Sequence, residues 1–233
     1  MTAPPSFLAA AEAQGLAFDA GDIERLGRYL DLLYEANARF NLTAILDREQ
    51  AWTRHILDSL TLMAPLATLE AATVADVGSG GGTPGIPLAI SLPQTRFTLI
   101  EATGKRARFL ESTAAALGLT NVRVLAERSE KVGRDPAHRE SFDVAVARAV
   151  GPLTVLLELT VPLVRTGGHV LAIKGERAAT EIVEAKPALH RLHSAALEPI
   201  RTPTGTIVVI EKRRPTPRAY PRSAGEPKRR PLT

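Results

Sequence analysis

The chain has 233 residues, 45% of them hydrophobic and 23% charged, with a net charge of +4. That length suits one sizeable domain with a small extension, and the composition excludes fibrous and disordered classes. Cysteine is absent, which excludes disulfides, thiolate metal sites and covalent thiol catalysis. The longest apolar runs are strand-sized, well short of the roughly 20 residues a membrane helix needs. Met1 to Ala20 carries acids but neither Lys nor Arg, so no signal peptide is expected and a cytoplasmic location is. Neither a membrane nor a metal is an expected partner.

The first amphipathic segment runs from Asp22 to Tyr34, where Ile23, Leu26, Leu30, Leu33 and Tyr34 recur at helical spacing. Gly21 or Asp22 is placed to start that helix. A second helix is expected over Asp47 to Ala64, with Ile56, Leu57, Leu60 and Met63 on or near one face. Between them, Asn37 to Ile45 is too polar at its start and too β-branched at its end to assign. Residues 1–70 thus form an N-terminal helical cap.

From Thr73 the rhythm changes to short apolar runs alternating with helical patterns. Strands are expected at Val74–Val77, Arg96–Glu101, Val122–Leu125, Phe142–Ala147 and His169–Lys174. Helices are expected at Ile86–Leu92, Lys105–Leu117, Leu153–Val164 and Ala178–Leu192. This alternation predicts an α/β fold, a doubly wound and mostly parallel sheet covered by helices on both faces. Two further strand-like runs, Leu197–Thr202 and Thr206–Lys212, flank Pro203-Thr204-Gly205 and predict a terminal antiparallel hairpin. The expected architecture is a Rossmann-like, seven-stranded sheet over residues 71–213. Such a hairpin belongs to methyltransferase sheets and is missing from most dinucleotide-binding ones.

Residues 214–233 form a basic tail. Counted from Lys212, the terminus holds eight Lys and Arg against the single acid Glu226, leaving the remaining chain at about −3. A basic extension on a slightly acidic body fits either a polyanionic partner such as nucleic acid or a solvated terminus.

The stretch Val74-Ala75-Asp76-Val77-Gly78-Ser79-Gly80-Gly81-Gly82 is a strand entering a glycine loop. Glycines without a Cβ let a ligand approach the backbone, and the helix that follows offers free N–H groups. The dinucleotide fingerprint would place its third glycine at 83, where Thr83 stands. The glycines instead fall at Gly78, Gly80 and Gly82, preceded by Asp76, in the arrangement of S-adenosyl-L-methionine-dependent methyltransferases. Glu101, ending the second strand, can accept hydrogen bonds from both ribose hydroxyls, a role shared with NAD enzymes. Ala126 and Glu127 follow the third strand, where a small residue leaves room for adenine and an acid can accept from its amine; Glu127 equally suits a helix start. Arg148, after the fourth strand, is placed to meet cofactor, an RNA phosphate or a surface carboxylate.

Methyl transfer from a sulfonium gains much of its rate from positioning. Pyrimidine C5 methylation needs a thiolate, which this chain lacks. Arg148-Ala149-Val150-Gly151 is also unlike the Asp/Asn-Pro-Pro-aromatic motif of exocyclic amine methyltransferases. Carboxyl, hydroxyl and ring-nitrogen acceptors remain, and no residue stands out as a general base.

Several motifs together resemble the RsmG (GidB) family. They are Asn37, Asn41-Leu42-Thr43-Ala44-Ile45, His55 with Leu57-Asp58-Ser59-Leu60, and Asp76 through Ile90. The likeness continues through Lys105-Arg106 with Phe109-Leu110, Gly167-Gly168 to Lys174-Gly175, and Tyr220-Pro221-Arg222 with Gly225 and Pro231-Leu232. It implies a methyltransferase acting on guanine N7 of 16S ribosomal RNA near the decoding centre, with the small ribosomal subunit as partner and S-adenosyl-L-methionine as cofactor. Gly78, Thr83, Ala126-Glu127 and Arg148 would bind cofactor. Thr83, where the family usually has a bulky apolar residue, is a mild departure, as are Gly81 for proline and Glu101 for aspartate. Asn37, Asn41, His55, Asp58, Ser59, Arg148, Lys174 and Arg222 are candidate substrate contacts, with capping and cap-to-core packing as the alternative for the first five. The resemblance also favours RNA contact by the tail, and a monomer is the default expectation. Methylation of another RNA or a non-RNA acceptor, and RNA binding without catalysis, are the competing functions.

Overall fold

The computed structural model describes residues 1–233. Helices α1 (Pro5–Ala13), α2 (Asp22–Phe40), α3 (Arg48–Ala51), α4 (Asp58–Leu60) and α5 (Met63–Thr68) precede the first strand, and a π-helical turn, Trp52–Leu57, joins α3 to α4. The core then runs β1 (Thr73–Val77), α6 (Gly85–Ser91), β2 (Arg96–Ile100), α7 (Gly104–Ala116), β3 (Val122–Leu125), α8 (Ser129–Val132), β4 (Phe142–Arg148), α9 (Leu153–Thr160) and β5 (Val164–Lys174). It closes with α10 (Ala178–Glu184), α11 (Lys186–Arg191), β6 (Ser194–Ala196), β7 (Ile200–Thr202), β8 (Gly205–Lys212) and α12 (Glu226–Arg229). No helix is long and apolar enough to cross a membrane.

The strands lie in the order β3-β2-β1-β4-β5-β8-β6, with β7 also on β8. Pairs among β1 to β5 are parallel, and every pair involving β8 is antiparallel. Both β6 and β7 pair with the same strand, at its opposite ends, so the sheet has the seven expected strand positions with the last one interrupted. The chain reverses direction across the sheet between β1 and β4, which opens a crevice at their C-terminal ends.

Two-residue alternation divides the strands between two cores. Val74, Val144, Val146, Leu171 and Ile207 pack on one face with Leu26, Tyr29, Leu30, Leu33, Trp52 and Ile86. Ala75, Val77, Ala145, Val170 and Val208 pack on the other with α9 and α11 through Leu153, Leu157 and Leu189. The helices before β1 therefore share a core with the sheet. Leu26, Tyr29, Leu30 and Leu33 are the buried stripe of α2, which is why its periodicity was legible.

Differences from the expected boundaries have local causes. α2 continues past Tyr34 to Phe40, where Glu35, Asn37 and Arg39 alternate with Ala36, Ala38 and Phe40 and no residue is buried to extend the apolar stripe, and Asn41 closes it in a left-handed conformation at φ 50°. The expected second helix contains the π-helical turn, and such wide turns leave no periodic signature. α9 ends at Thr160 and β5 already begins at Val164, since the apolar run Val161–Val164 reads equally as helix or strand. The expected helix over Ala178–Leu192 is two helices, broken at Ala185 just ahead of Pro187, which has no N–H to give.

The basic tail lies against the protein. Arg222 grips Glu158 with Nε at 2.9 Å from Oε1 and 3.1 Å from Oε2 and Nη2 at 2.6 Å from Oε2, and its backbone N–H also donates to Oε1 at 2.7 Å. Glu158 is 0% exposed. Arg139 donates to the carbonyls of Thr216 and Tyr220, Arg134 to that of Pro221, and Leu232 is buried in the second core. Lys212 is buried beside Glu140, whose carboxylate it meets at 2.7 Å. Arg213, Arg214, Arg218, Lys228, Arg229 and Arg230 remain exposed.

Removing one partner of a buried pair leaves an uncompensated charge, at a cost of about 3–5 kcal/mol. Arg222→Ala is therefore expected to lower stability to urea by about that amount. Arg222→Ala combined with Glu158→Gln should recover much of the loss, and an additive loss in the double variant would contradict this assignment.

Candidate cofactor and substrate site

Asp76 sits in the middle of the sheet, fully buried, and its Oδ2 accepts the Gly85 N–H at 3.1 Å at the start of α6. Burial pushes its carboxyl up to about 7 against the hydrogen bonds that favour the ionised form. Its Oδ1 is buried without a protein partner. A Cβ at Gly85 would lie 2.6 Å from Asp76 Oδ2, so only glycine lets the helix start close over this carboxylate. Gly78, at φ 72°, turns the chain out of β1, and a Cβ there would stand 3.0 Å from a Val150 methyl. The loop is held from both sides. Tyr29, whose phenol is buried, donates to the Gly81 carbonyl at 2.8 Å, and Glu101 accepts the Gly80 N–H at 3.0 Å and the Thr103 N–H at 2.7 Å.

A cavity of about 190 Å³ opens at the ends of β1, β2 and β3, lined among others by Gly78, Glu101, Glu127 and Val150. The bare edge at Gly78, an acidic strand end at Glu101 and apolar walls fit a nucleoside cofactor such as S-adenosyl-L-methionine. Ala126, expected to make room for adenine, is exposed and does not line it. Glu127 accepts the Arg128 N–H at 2.8 Å and meets Lys131 at 3.2 Å, contacts that hold its carboxyl below the usual range.

Arg148, the last residue of β4, organises the neighbouring surface. Its Nη1 donates to Asp58 Oδ2 at 3.0 Å and to the Arg54 carbonyl; its Nη2 donates to Thr83 Oγ1 and to His55 Nδ1 at 3.2 Å. A guanidinium can only donate, so Nδ1 must accept and the His55 proton must sit on Nε2. That Nε2–H then donates to Thr43 Oγ1 at 2.9 Å, while the Thr43 N–H donates to Asn37 Oδ1 at 2.8 Å. Burial first, and the Arg148 charge second, push His55 down to about 4, so the ring is neutral. Asp58 Oδ1 accepts Thr204 Oγ1–H at 2.6 Å, tying in the terminal hairpin. The π-helical turn supplies Arg54 and His55 to this network, in keeping with the concentration of such turns at functional sites.

The structure thus unites Asn37, His55, Asp58, Thr83 and Arg148. Ser59 is buried and donates to the His55 carbonyl at 2.6 Å, within the helical turn. Asn41 is exposed as the α2 cap and outside the network. Lys174 is taken up by Glu181 at 2.8 Å and the Gly151 carbonyl at 2.6 Å, and Arg222 by Glu158. Tyr29, Thr43 and Thr204 escaped the sequence reading. Thr43 lies within the Asn-Leu-Thr-Ala-Ile stretch, whereas Tyr29 and Thr204 carry no signal beyond being core and turn residues.

A doubly wound sheet with an antiparallel last pair, a glycine cradle and an acid-lined cavity defines a Rossmann-like methyltransferase. Solved structures share the fold. One is a putative O-methyltransferase from Klebsiella pneumoniae, with a TM-score of 0.61 and 16% identity, covering 90% of this chain and 96% of that one. Another is an O-methyltransferase from Bacillus cereus in complex with SAH, with a TM-score of 0.57 and 18% identity, covering 79% and 91%. The model of the rRNA small subunit methyltransferase G (GidB) family matches residues 22–202. The Ribosomal RNA small subunit methyltransferase G of Sorangium cellulosum is 47% identical over 95% of this chain and 92% of its own. That of Leuconostoc citreum is 39% identical over 97% and 98%. The chain belongs to the rRNA small subunit methyltransferase G family.

A histidine held neutral when folded loses stability as pH falls from its unfolded value near 6.5 through about 4, because the unfolded chain then binds the extra proton. His55→Gln should flatten that part of the stability–pH curve by about 2 kcal/mol. Urea unfolding at pH 4.5 and 7.5 measures this, and an identical pH dependence in the two proteins would refute the neutral assignment.

Proposed function

We propose that the protein transfers a methyl group from S-adenosyl-L-methionine to N7 of a guanine in 16S ribosomal RNA near the decoding centre. Membership of the rRNA methyltransferase G family, on a chain whose glycine cradle and Arg148 network are both intact, is the observation that carries this reading. The cofactor, when bound, supplies an electrophilic methyl group on a sulfonium. Gly78 would leave the backbone open to it, Glu101 would accept from the ribose hydroxyls with the lone pairs left over from the Gly80 and Thr103 N–H groups, and Glu127, next to Ala126, would border the base.

The acceptor chemistry agrees with the network beyond the cradle. N7 of guanine already carries its lone pair, so no proton has to be removed before attack. His55 is neutral with both ring nitrogens engaged, and Asp58 is committed to Arg148 and Thr204. Neither is free to act as a base. What these residues offer is the guanidinium of Arg148, ion-paired with Asp58 and held by acceptors from the helical cap and by Thr83 of the loop, to orient a polyanionic substrate.

Mapping 7-methylguanine in 16S rRNA after incubation of small subunits, or of naked RNA, with the purified protein and cofactor tests the reading. One modified guanine is expected; methyl incorporation only into another RNA or into protein would overturn it. Arg148→Ala is expected to cut methyl transfer by about 100-fold or more, the loss of a fixed electrostatic contact, with the folded structure retained by circular dichroism. Unchanged transfer at limiting and saturating substrate would remove Arg148 from the site.

A further inference from the structure

We propose that the C-terminal segment from Arg222 to Lys228 is one wall of the adenosine pocket, so that the basic tail is a cofactor-binding element. Gly225, Pro227 and Lys228 line the same 190 Å³ cavity as Gly78, Glu101 and Glu127. The tail crosses the open side of the crevice, and three anchors hold it there. Arg222 is clamped on the fully buried Glu158 of α9, and its Nη2 also reaches forward to the Arg230 carbonyl at 2.7 Å, closing the segment into a loop. The Gly225 N–H donates to Oε1 of the buried Glu130 in α8 at 2.7 Å, just where the left-handed Gly225, at φ 79°, starts α12. Leu232, beyond the cavity, is buried in the core under the sheet.

These anchors decide what the pocket is made of. Glu130 directs Oε1 at the tail, so a carboxylate at the cavity edge serves to dock the chain terminus. Pro227 is buried and lines the cavity together with Val155 and Leu159 of α9, apolar surface of the kind that takes up a flat base. Glu101 faces from the strand end, leaving the polar edge of the cavity to the sugar. With the tail withdrawn, that cavity would lose a side and the base would face solvent. Docking of the tail and binding of the cofactor are therefore coupled, each favouring the other. The charge asymmetry of the sequence takes on a different meaning here: the segment is basic, and what places it is a pair of buried acids.

The inference rests on the cavity being the cofactor site, and binding measurements separate the two. If the unaltered protein binds no S-adenosylhomocysteine, the cofactor reading fails. If it binds, the tail can be tested by calorimetry with that ligand. Pro227→Trp, which places a bulky ring in the cavity, should weaken binding by about tenfold or more, while Arg213→Glu on the exposed tail outside the cavity leaves it unchanged. A folded Pro227→Trp protein that binds normally overturns the proposal. The unaltered protein gives an independent measurement should that variant fail to fold. Saturating S-adenosylhomocysteine is expected to slow tryptic cleavage after Lys228 and Arg229 by about threefold or more, with cleavage after the exposed Arg177 unaffected. Equal rates at Lys228 and Arg229 with and without ligand would overturn the proposal as well.

Discussion

The Arg148 guanidinium is the constraint on which the rest of the site depends. It is planar and permanently charged, and each of its N–H groups needs an acceptor in a place from which water is largely excluded. Acceptors come from the wide helical turn, through Arg54, His55 and Asp58, and from the glycine loop, through Thr83. One side chain therefore sets the distance between the helical cap and the end of β4. It also sets the histidine tautomer, and with it the bond to Thr43 and the placement of the loop that Asn37 holds. Asp58 passes the constraint to the hairpin through Thr204. A substitution at any of these positions acts on the others, because they share one charge.

The glycine cradle is governed by steric exclusion. Asp76 is buried under the start of α6 at a cost in solvation, and the Gly85 N–H recovers part of that cost only because no Cβ intervenes. Glu101 braces the loop from the adjacent strand through Gly80. The loop is thus preorganised by the protein's own groups, with Tyr29 of the helical cap holding it from the far side. Helical cap and sheet meet at the glycines as well as at Arg148.

At the C-terminus, net charge alone is a poor guide. Arg222 and Lys212 are paired with buried or half-buried acids, while the exposed basic residues are the ones left to meet an anion. Sequence composition counts these together; burial separates them. The same holds for Lys174, whose partner Glu181 is seven residues away across a loop.

Sequence periodicity by itself determined the order of strands and helices, the doubly wound sheet with its terminal hairpin, and the glycine cradle with Asp76 and Glu101. These rest on spacings of two to a few residues and on the unique backbone freedom of glycine, which are local properties. The tertiary structure alone decided which polar residues meet. Asn37, His55, Asp58, Thr83 and Arg148 are separated by up to 111 positions, and nothing in their spacing shows that they share one hydrogen-bond network. It also decided that Asn41 caps a helix, that Lys174 and Arg222 are spent in ion pairs, and where the tail lies. The physical reason is that ion pairing and burial are set by distance in space, which a sequence encodes only through the complete fold.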